Sequence, residues 1–241
     1  MIELPQSVRI REVGPRDGFQ NEPEVIATDD KVRLIDALAR TGVRRLEVTS
    51  FVRADVIAQL ADAADVLSRI NVPSDVALTV LIPNERGLEN ALALRDRFQE
   101  IDCFLSASET HNRKNVNRSI EESLVGLEAV LARAELGADV ELTAHFHNTR
   151  GQGLANVLAA LEAGCASFES SFGELGGCPV PAGATGNIAT EDLVSMLHEM
   201  GIETGIDLGR LLEATRMVRE VLGRPLGSHT LVAGPVDWHE A

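Results

Sequence analysis

The chain contains no tyrosine, one tryptophan and only 3% aromatic residues, so its interior must be filled by aliphatic side chains. With 44% hydrophobic residues, mostly Ala, Val, Leu and Ile, a sizeable core is still within reach. Such a composition suits parallel strands buried on both faces. Positive charge is scarce too. Twenty-two Lys and Arg against 37 Asp and Glu leave a formal charge of −15, which repels phosphate backbones and anionic lipid. Nucleic acid and membrane surfaces are therefore not expected partners, and an anionic substrate would need local help from Arg, Lys or a cation. The three cysteines, Cys103, Cys165 and Cys178, form an odd set without a CxxC, which argues against a disulfide frame or a zinc knuckle. No window approaches the length of a membrane span, and Met1 to Gln6 carries neither a basic region nor an apolar run, so a cytoplasmic enzyme is expected. No linker or low-complexity run divides the chain, which reads as one domain over 1–241.

What is present repeats. Val8 to Val13 alternates as a strand and runs into Gly14-Pro15-Arg16-Asp17-Gly18, a loop of turn residues holding an Arg-Asp pair. Thr28-Asp-Asp then reads as an N-cap for a helix that Gly42 stops. Further strands are expected over Arg45 to Phe51, Val76 to Ile82, Ile101 to Ser106, Asp139 to His147 and Ala166 to Ser171. Helices are expected over about Asp55 to Arg69, Gly87 to Phe98, Ser119 to Ala134 and Asp207 to Leu222, with others after Gln152 and Thr190. Ser119-Ile-Glu-Glu122 is a capping box, and Ala107 to Arg118 reads as a long polar loop. Six βα units in strict alternation predict an α/β fold with a parallel sheet, open or closed.

The chain is organised around Leu142 to Gly151. Side chains alternate along a strand, so His145 and His147 share a face, roughly 6 to 7 Å apart along the backbone. Two imidazoles at that spacing can hold one metal ion. An H-x-H alone is more often a pair of ordinary strand-end histidines, but this one stands where a strand feeds a helix, the end at which α/β folds place their chemistry. Asp17 after the first strand and Asn187 after the sixth would complete a mixed N/O shell for an ion of the Mg, Mn, Co or Zn kind. Singly, Asp17 reads as a turn residue, Asn187 as a cap and Cys178 as an inert buried thiol. Cys178, however, lies in a glycine-rich loop where the backbone can approach a ligand, and a thiol on a mobile lid can serve as an acid or base.

Glu12-Val-Gly-Pro-Arg-Asp-Gly-Phe-Gln-Asn21, Glu47-Val-Thr-Ser-Phe, Ser106-Ala-Ser-Glu-Thr, Asn115-Val-Asn, His145-x-His147, Gly176-Gly-Cys-Pro and Gly186-Asn-Ile-Ala-Thr-Glu-Asp together resemble the 3-hydroxy-3-methylglutaryl-CoA lyases, metallolyases on TIM barrels. The resemblance implies cleavage of 3-hydroxy-3-methylglutaryl-CoA to acetyl-CoA and acetoacetate, a step of leucine degradation and ketone-body metabolism. It also implies Mg2+ or Mn2+ on Asp17, His145, His147 and Asn187. Arg16 would stabilise the developing enolate, Glu12 and Glu47 would support the site, and Cys178 would take part in proton transfer. Ser108, Arg113, Lys114 and Asn115, with Arg16, would bind the acyl-CoA substrate.

Two departures stand out. The family has eight βα units, whereas this chain lacks two of them, with the deletion expected near 134–139, and one missing strand would carry an active-site Asp. The fold expected is thus a shortened or incomplete TIM-barrel-like repeat of about six units. Asn148-Thr-Arg also stands where many members carry Asp-Thr-Tyr or Asp-Thr-Arg. An active lyase, a shortened non-catalytic relative that still binds metal or CoA or self-associates as a homodimer, and an aldolase or synthase of the same superfamily are the readings to separate.

Overall fold

The computed structural model describes residues 4–134, 140–177 and 185–236. Six strands, β1 (Arg9–Glu12), β2 (Arg45–Ser50), β3 (Ala77–Leu81), β4 (Glu100–Asp102), β5 (Ala144–His145) and β6 (Ser167–Ser170), form one sheet in the order β4-β3-β2-β1-β6-β5. All five pairings are parallel. The helices are α1 (Thr28–Leu38), α2 (Ala63–Arg69), α3 (Glu85–Leu92), α4 (Glu109–Val116), α5 (Ile120–Ala134), α6 (Gly153–Glu162), α7 (Thr190–Glu199), α8 (Leu208–Leu222) and α9 (His229–Ala233).

Alternation sorts the strand residues into two chemically distinct layers. Ile10, Leu46, Val48, Leu78, Val80 and Phe168 are buried in the apolar cluster they share with Leu34 and Leu38 of α1, Leu67 of α2, Leu193 of α7 and Leu211 of α8. The opposite face carries Arg11, Arg45, Glu47, Glu100, Asp102 and Glu169, and their ion pairs reveal its shape. Arg11 in β1 lies 3.0 Å from Asp102 in β4, although β2 and β3 stand between the two strands. A flat sheet would hold them apart by about 14 Å, three strand spacings. The sheet is therefore a curled half-barrel of βα units with the charged face inside. Arg45 in β2 pairs with Glu100 on β4 at 2.8 Å and also with Glu141, just ahead of β5. One guanidinium thus touches acids from both sheet edges, and among the described residues no ladder joins β4 to β5.

The edges depart most from the sequence expectation. Only Ala144 and His145 are strand in the stretch expected to begin at Asp139, because β6 alone lies alongside and pairs just two residues. Val140 and Leu142, ahead of β5, are 77% and 90% exposed. β4 likewise stops at Asp102 rather than Ser106. The polar stretch after it is helix α4, started by Ser108 Oγ accepting the His111 amide. Thr28 does not cap α1. Ala27 is the cap residue, while the Thr28 hydroxyl donates to Asp62 at 2.7 Å. The helix expected from Asp55 begins as α-helix at Ala63, and the one expected to reach Phe98 stops at Leu92. The capping box at Ser119 forms as expected, with reciprocal bonds to Glu122 of 2.7 and 3.0 Å. Leu136 to Ala138, where the deletion is expected, lie outside the described residues.

Candidate active site and metal centre

The site begins at the end of β1, where the chain winds into a π-helical turn over Gly14–Gly18 rather than an open loop. The Asp17 amide donates to the Val13 carbonyl at 2.7 Å. The turn sits so close to the end of β6 that a Cβ on Gly14 would meet the Phe172 ring at 2.3 Å, so glycine is required there. Glu12 fixes the junction. Its carboxylate accepts from the amides of Gly14 at 2.7 Å and Phe172 at 3.0 Å and from the Thr190 hydroxyl at 2.6 Å. Burial pushes its pKa up to about 7 despite these bonds.

This turn delivers Arg16 and Asp17. Arg16 is buried, 2.6 Å from Asp17 and 2.8 Å from Glu47. Burial works against its charge, but Glu47 and Asp17 more than offset that and hold it protonated. Its Nε–H has no partner among the described residues. The two Asp17 oxygens accept from Gln20 at 2.8 Å and from Asn187 at 2.7 Å. Burial would raise the Asp17 pKa, yet Arg16, His145 and Asn187 bring it below the usual value.

His145 and His147 face the same way, as alternation requires, with ring centroids 5.1 Å apart. Ligand atoms of Asp17, His145 and His147 lie within 4.8 Å of one another. His145 Nδ1 is 2.9 Å from Glu169 Oε2, which leaves Nε2 for a ligand. Burial opposes protonation of His145, but Glu169 and Asp17 outweigh it and its pKa is raised. Among the described residues no carboxylate is hydrogen-bonded to His147, and burial together with the charge of His145 outweighs Asp17 and pushes it down to about 4, leaving a neutral imidazole. Asn187 is fully buried and forms an isolated bridge with His147. Its amide nitrogen donates to Asp17 and to the Leu175 carbonyl at 3.0 Å, while its Oδ1 has no partner among the described residues. An orphaned buried amide oxygen beside a carboxylate and two imidazoles is a donor set that fits a divalent cation.

The family model described as HMGL-like matches residues 7–144 and 133–218. The chain belongs to the HMGL-like family. Relatives of this HMGL-like chain include the hydroxymethylglutaryl-CoA lyase of Bacillus subtilis, 40% identical over 295 residues, covering 95% of this chain and 98% of the relative. The cytoplasmic 3-hydroxy-3-methylglutaryl-CoA lyase of Danio rerio is 37% identical, over 94% of this chain and 86% of that one. An HMG-CoA lyase of Acinetobacter baumannii, solved with coenzyme A and 3-methylmalate, superposes with a TM-score of 0.86 at 32% identity, covering 99% of each chain. The carboxyl transferase domain of Rhizobium etli pyruvate carboxylase, at 15% identity and a TM-score of 0.61, shares the fold alone. The alignment with the Bacillus subtilis lyase is longer than the 241 residues of this chain, so this HMGL-like member is a shortened carbon–carbon-lyase-like one.

The remaining expected residues fall into two groups. Glu47 is fully buried against Arg16. Ser108, Arg113, Lys114 and Asn115 are all exposed on or beside α4. Ser108 is used as the helix cap and Arg113 pairs with Glu109 at 2.7 Å. The charge of His111, on the same helix, contributes to lowering the His147 pKa, which sets the first turn of α4 near the histidines. Cys178 lies outside the described residues.

Sequence reasoning missed Glu169, Thr190 and the salt-bridged interior. Glu169 could have been found, since it is an acid in a strand otherwise built of Ser and Phe and shares the face of Ser167 and Ser171. Thr190 stands at a helix start, and its bond to Glu12 leaves no trace in the local sequence.

Proposed function

We propose that this chain carries out divalent-metal-dependent retro-Claisen cleavage of 3-hydroxy-3-methylglutaryl-CoA to acetyl-CoA and acetoacetate. The observation that carries the reading is the Asp17, His145 and His147 cluster, ligand atoms within 4.8 Å, beside Oδ1 of Asn187, which has no partner among the described residues. These four residues would hold Mg2+ or Mn2+. When bound, the ion supplies Lewis-acid polarisation of the substrate's hydroxyl and carboxylate oxygens.

The chain's own groups supply the rest. Arg16 brings a buried, permanently charged guanidinium whose Nε–H has no partner among the described residues, the kind of donor that stabilises a thioester oxygen as it becomes an enolate. Glu47 and Asp17 hold Arg16 in place from either side. Glu12 ties the Gly14–Gly18 turn to the end of β6, so that Asp17 and Asn187 keep one spacing. Cys178 would move a proton late in turnover, and Cys178→Ala should then lower kcat far more than it alters KM. Ser108, Arg113, Lys114 and Asn115 would meet the CoA end of the substrate on α4. Cytoplasm is the location proposed; no helix among the described residues is long and apolar enough to cross a membrane.

We also infer that two βα units are missing near 134–139. The two matched stretches of the family model meet at 133–144, and β4 and β5 form the sheet edges on either side of that point. This favours a second reading, a relative that binds metal or CoA without turnover. Incubating the purified chain with Mn2+ and 3-hydroxy-3-methylglutaryl-CoA and assaying acetoacetate separates the two. Metal-dependent release supports the lyase. Mn2+ binding without release supports the second reading, and release only from another hydroxyacyl-CoA in a substrate panel would point to an aldolase or synthase.

A further inference from the structure

Glu174 occupies a conformation its side chain disfavours. Its φ of 61° lies in the left-handed region, and only Asn117 and Arg150 share that property among the described non-glycine residues. Strain of this kind persists where the surroundings require it. Here the carboxylate reaches Asn148, whose Nδ2 donates to Glu174 Oε1 at 2.6 Å. The same Asn148 side chain accepts the Gly153 amide through Oδ1 at 3.1 Å, so both ends of its amide are used. Two glycines leave room for the pair. A Cβ on Gly227 would lie 1.7 Å from Glu174 Oε2, and one on Gly153 would lie 3.0 Å from Asn148 Oδ1.

The placement of the pair explains its use. Asn148 directly follows His147, and its backbone amide donates to the Gly186 carbonyl at 2.7 Å, one residue before Asn187. Glu174 directly precedes Leu175, whose carbonyl accepts from Asn187 Nδ2 and so determines which way the amide oxygen of Asn187 turns. We propose that Asn148 and Glu174 form a positioning pair that holds His147 and Asn187 at the spacing a shared cation needs. The proposal rests on the metal reading given above. It specifies amide against carboxylate. Asp at 148 would set two carboxylates against each other, whereas Gln at 174 would still accept from Asn148.

Four variants and three readouts test the pair. Glu174→Gln should bind Mn2+ as the parent does. Asn148→Asp should bind about tenfold more weakly, the lower range for loss of an outer partner of a metal site. Combining Asn148→Asp with Glu174→Gln should restore binding to within about threefold, because the Gln amide donates to the new carboxylate. Glu174→Gly is the discriminating case. Glycine relieves the left-handed strain, so a merely structural role predicts an unchanged or higher melting temperature with unchanged Mn2+ affinity, whereas the positioning role predicts weaker Mn2+ binding at undiminished stability. Equal calorimetric affinity across all four variants overturns the pair. If the parent chain itself binds no Mn2+, the metal reading fails, and amide exchange over 145–148 and 185–188 judges the pair by itself. Faster exchange in Asn148→Asp that the second substitution reverses supports it, and unchanged exchange overturns it.

Discussion

At the scale of single residues the centre separates two imidazoles by their neighbours. His145 has Glu169 hydrogen-bonded behind it and is raised; burial and the charge of His145 outweigh Asp17 at His147, which falls to about 4. His147→Ala should weaken Mn2+ binding at least tenfold, read by calorimetry, and an unchanged affinity would remove this histidine from the centre. A buried acid away from the proposed ligands gives a prediction of a different kind. Burial pushes Glu191 up to about 8, although it accepts from the Gly173 amide and the Thr215 hydroxyl. Its folded pKa lies above its unfolded value, so the native state keeps a proton that the unfolded chain releases near pH 4.5. Stability from this group is thus lost as pH rises from about 4.5 toward 8, on the order of a few kcal/mol. Glu191→Gln should flatten that decline. Urea midpoints at pH 5 and pH 8 check it, and an equal fall in variant and parent would mean Glu191 ionises normally in the folded chain.

Among the elements, the strands in the middle of the sheet and those at its rim obey different constraints. β1, β2, β3 and β6 have neighbours on both sides and helices over their apolar face, whereas among the described residues β4 and β5 each pair on one side only. Unpaired edges need a device to blunt them, and charge is a common one. Arg45 supplies it here by pairing with Glu100 beside one edge and Glu141 beside the other. Both acids are partly buried, and Arg45→Ala would leave Glu141 with Arg9 at 2.5 Å and Glu100 with Arg11 at 3.4 Å while removing a side chain that ties the two together. A loss of about 1 kcal/mol in unfolding free energy is expected, together with faster amide exchange in β4 and β5 than in β1. Uniform exchange across all strands would show that the clasp is incidental.

For the whole molecule, the deciding fact is that a half-barrel keeps together groups a full barrel would position. The carboxylate of Asp17 reaches the histidines because β1 and β5 flank the same strand, β6, and that part of the sheet is intact. Among the described residues no ladder closes β4 onto β5, and Val140 and Leu142, just ahead of β5, are exposed. A misplacement of about 1 Å can cost on the order of a hundredfold in rate. Metal binding should therefore survive better than turnover. We expect kcat more than tenfold below that of the Bacillus subtilis lyase for a monomer, with turnover rising at concentrations where a second copy covers the rim. Sedimentation run alongside the assay checks this, and a demonstrated monomer with kcat within tenfold of the relative would overturn it.

Local order was legible in the sequence because it depends on a few neighbouring residues. Alternation placed His145 and His147 on one face, Ser119 and Glu122 announced the start of α5, and the apolar faces of β1, β2 and β3 followed from their period. The motifs around Arg16, His145 and Asn187 indicated the family and six recurring units. Tertiary structure alone decided which acid stands behind which imidazole, since Glu169 meets His145 only through the register of β5 against β6. It also decided that Asn148 would find Glu174, that the polar stretch after Ser108 would wind into α4, and that Arg45 would bridge two edges far apart in the chain. Backbone periodicity is written within one turn or one strand, but a hydrogen bond between strands depends on how far the sheet curls, and curl belongs to the assembled sheet.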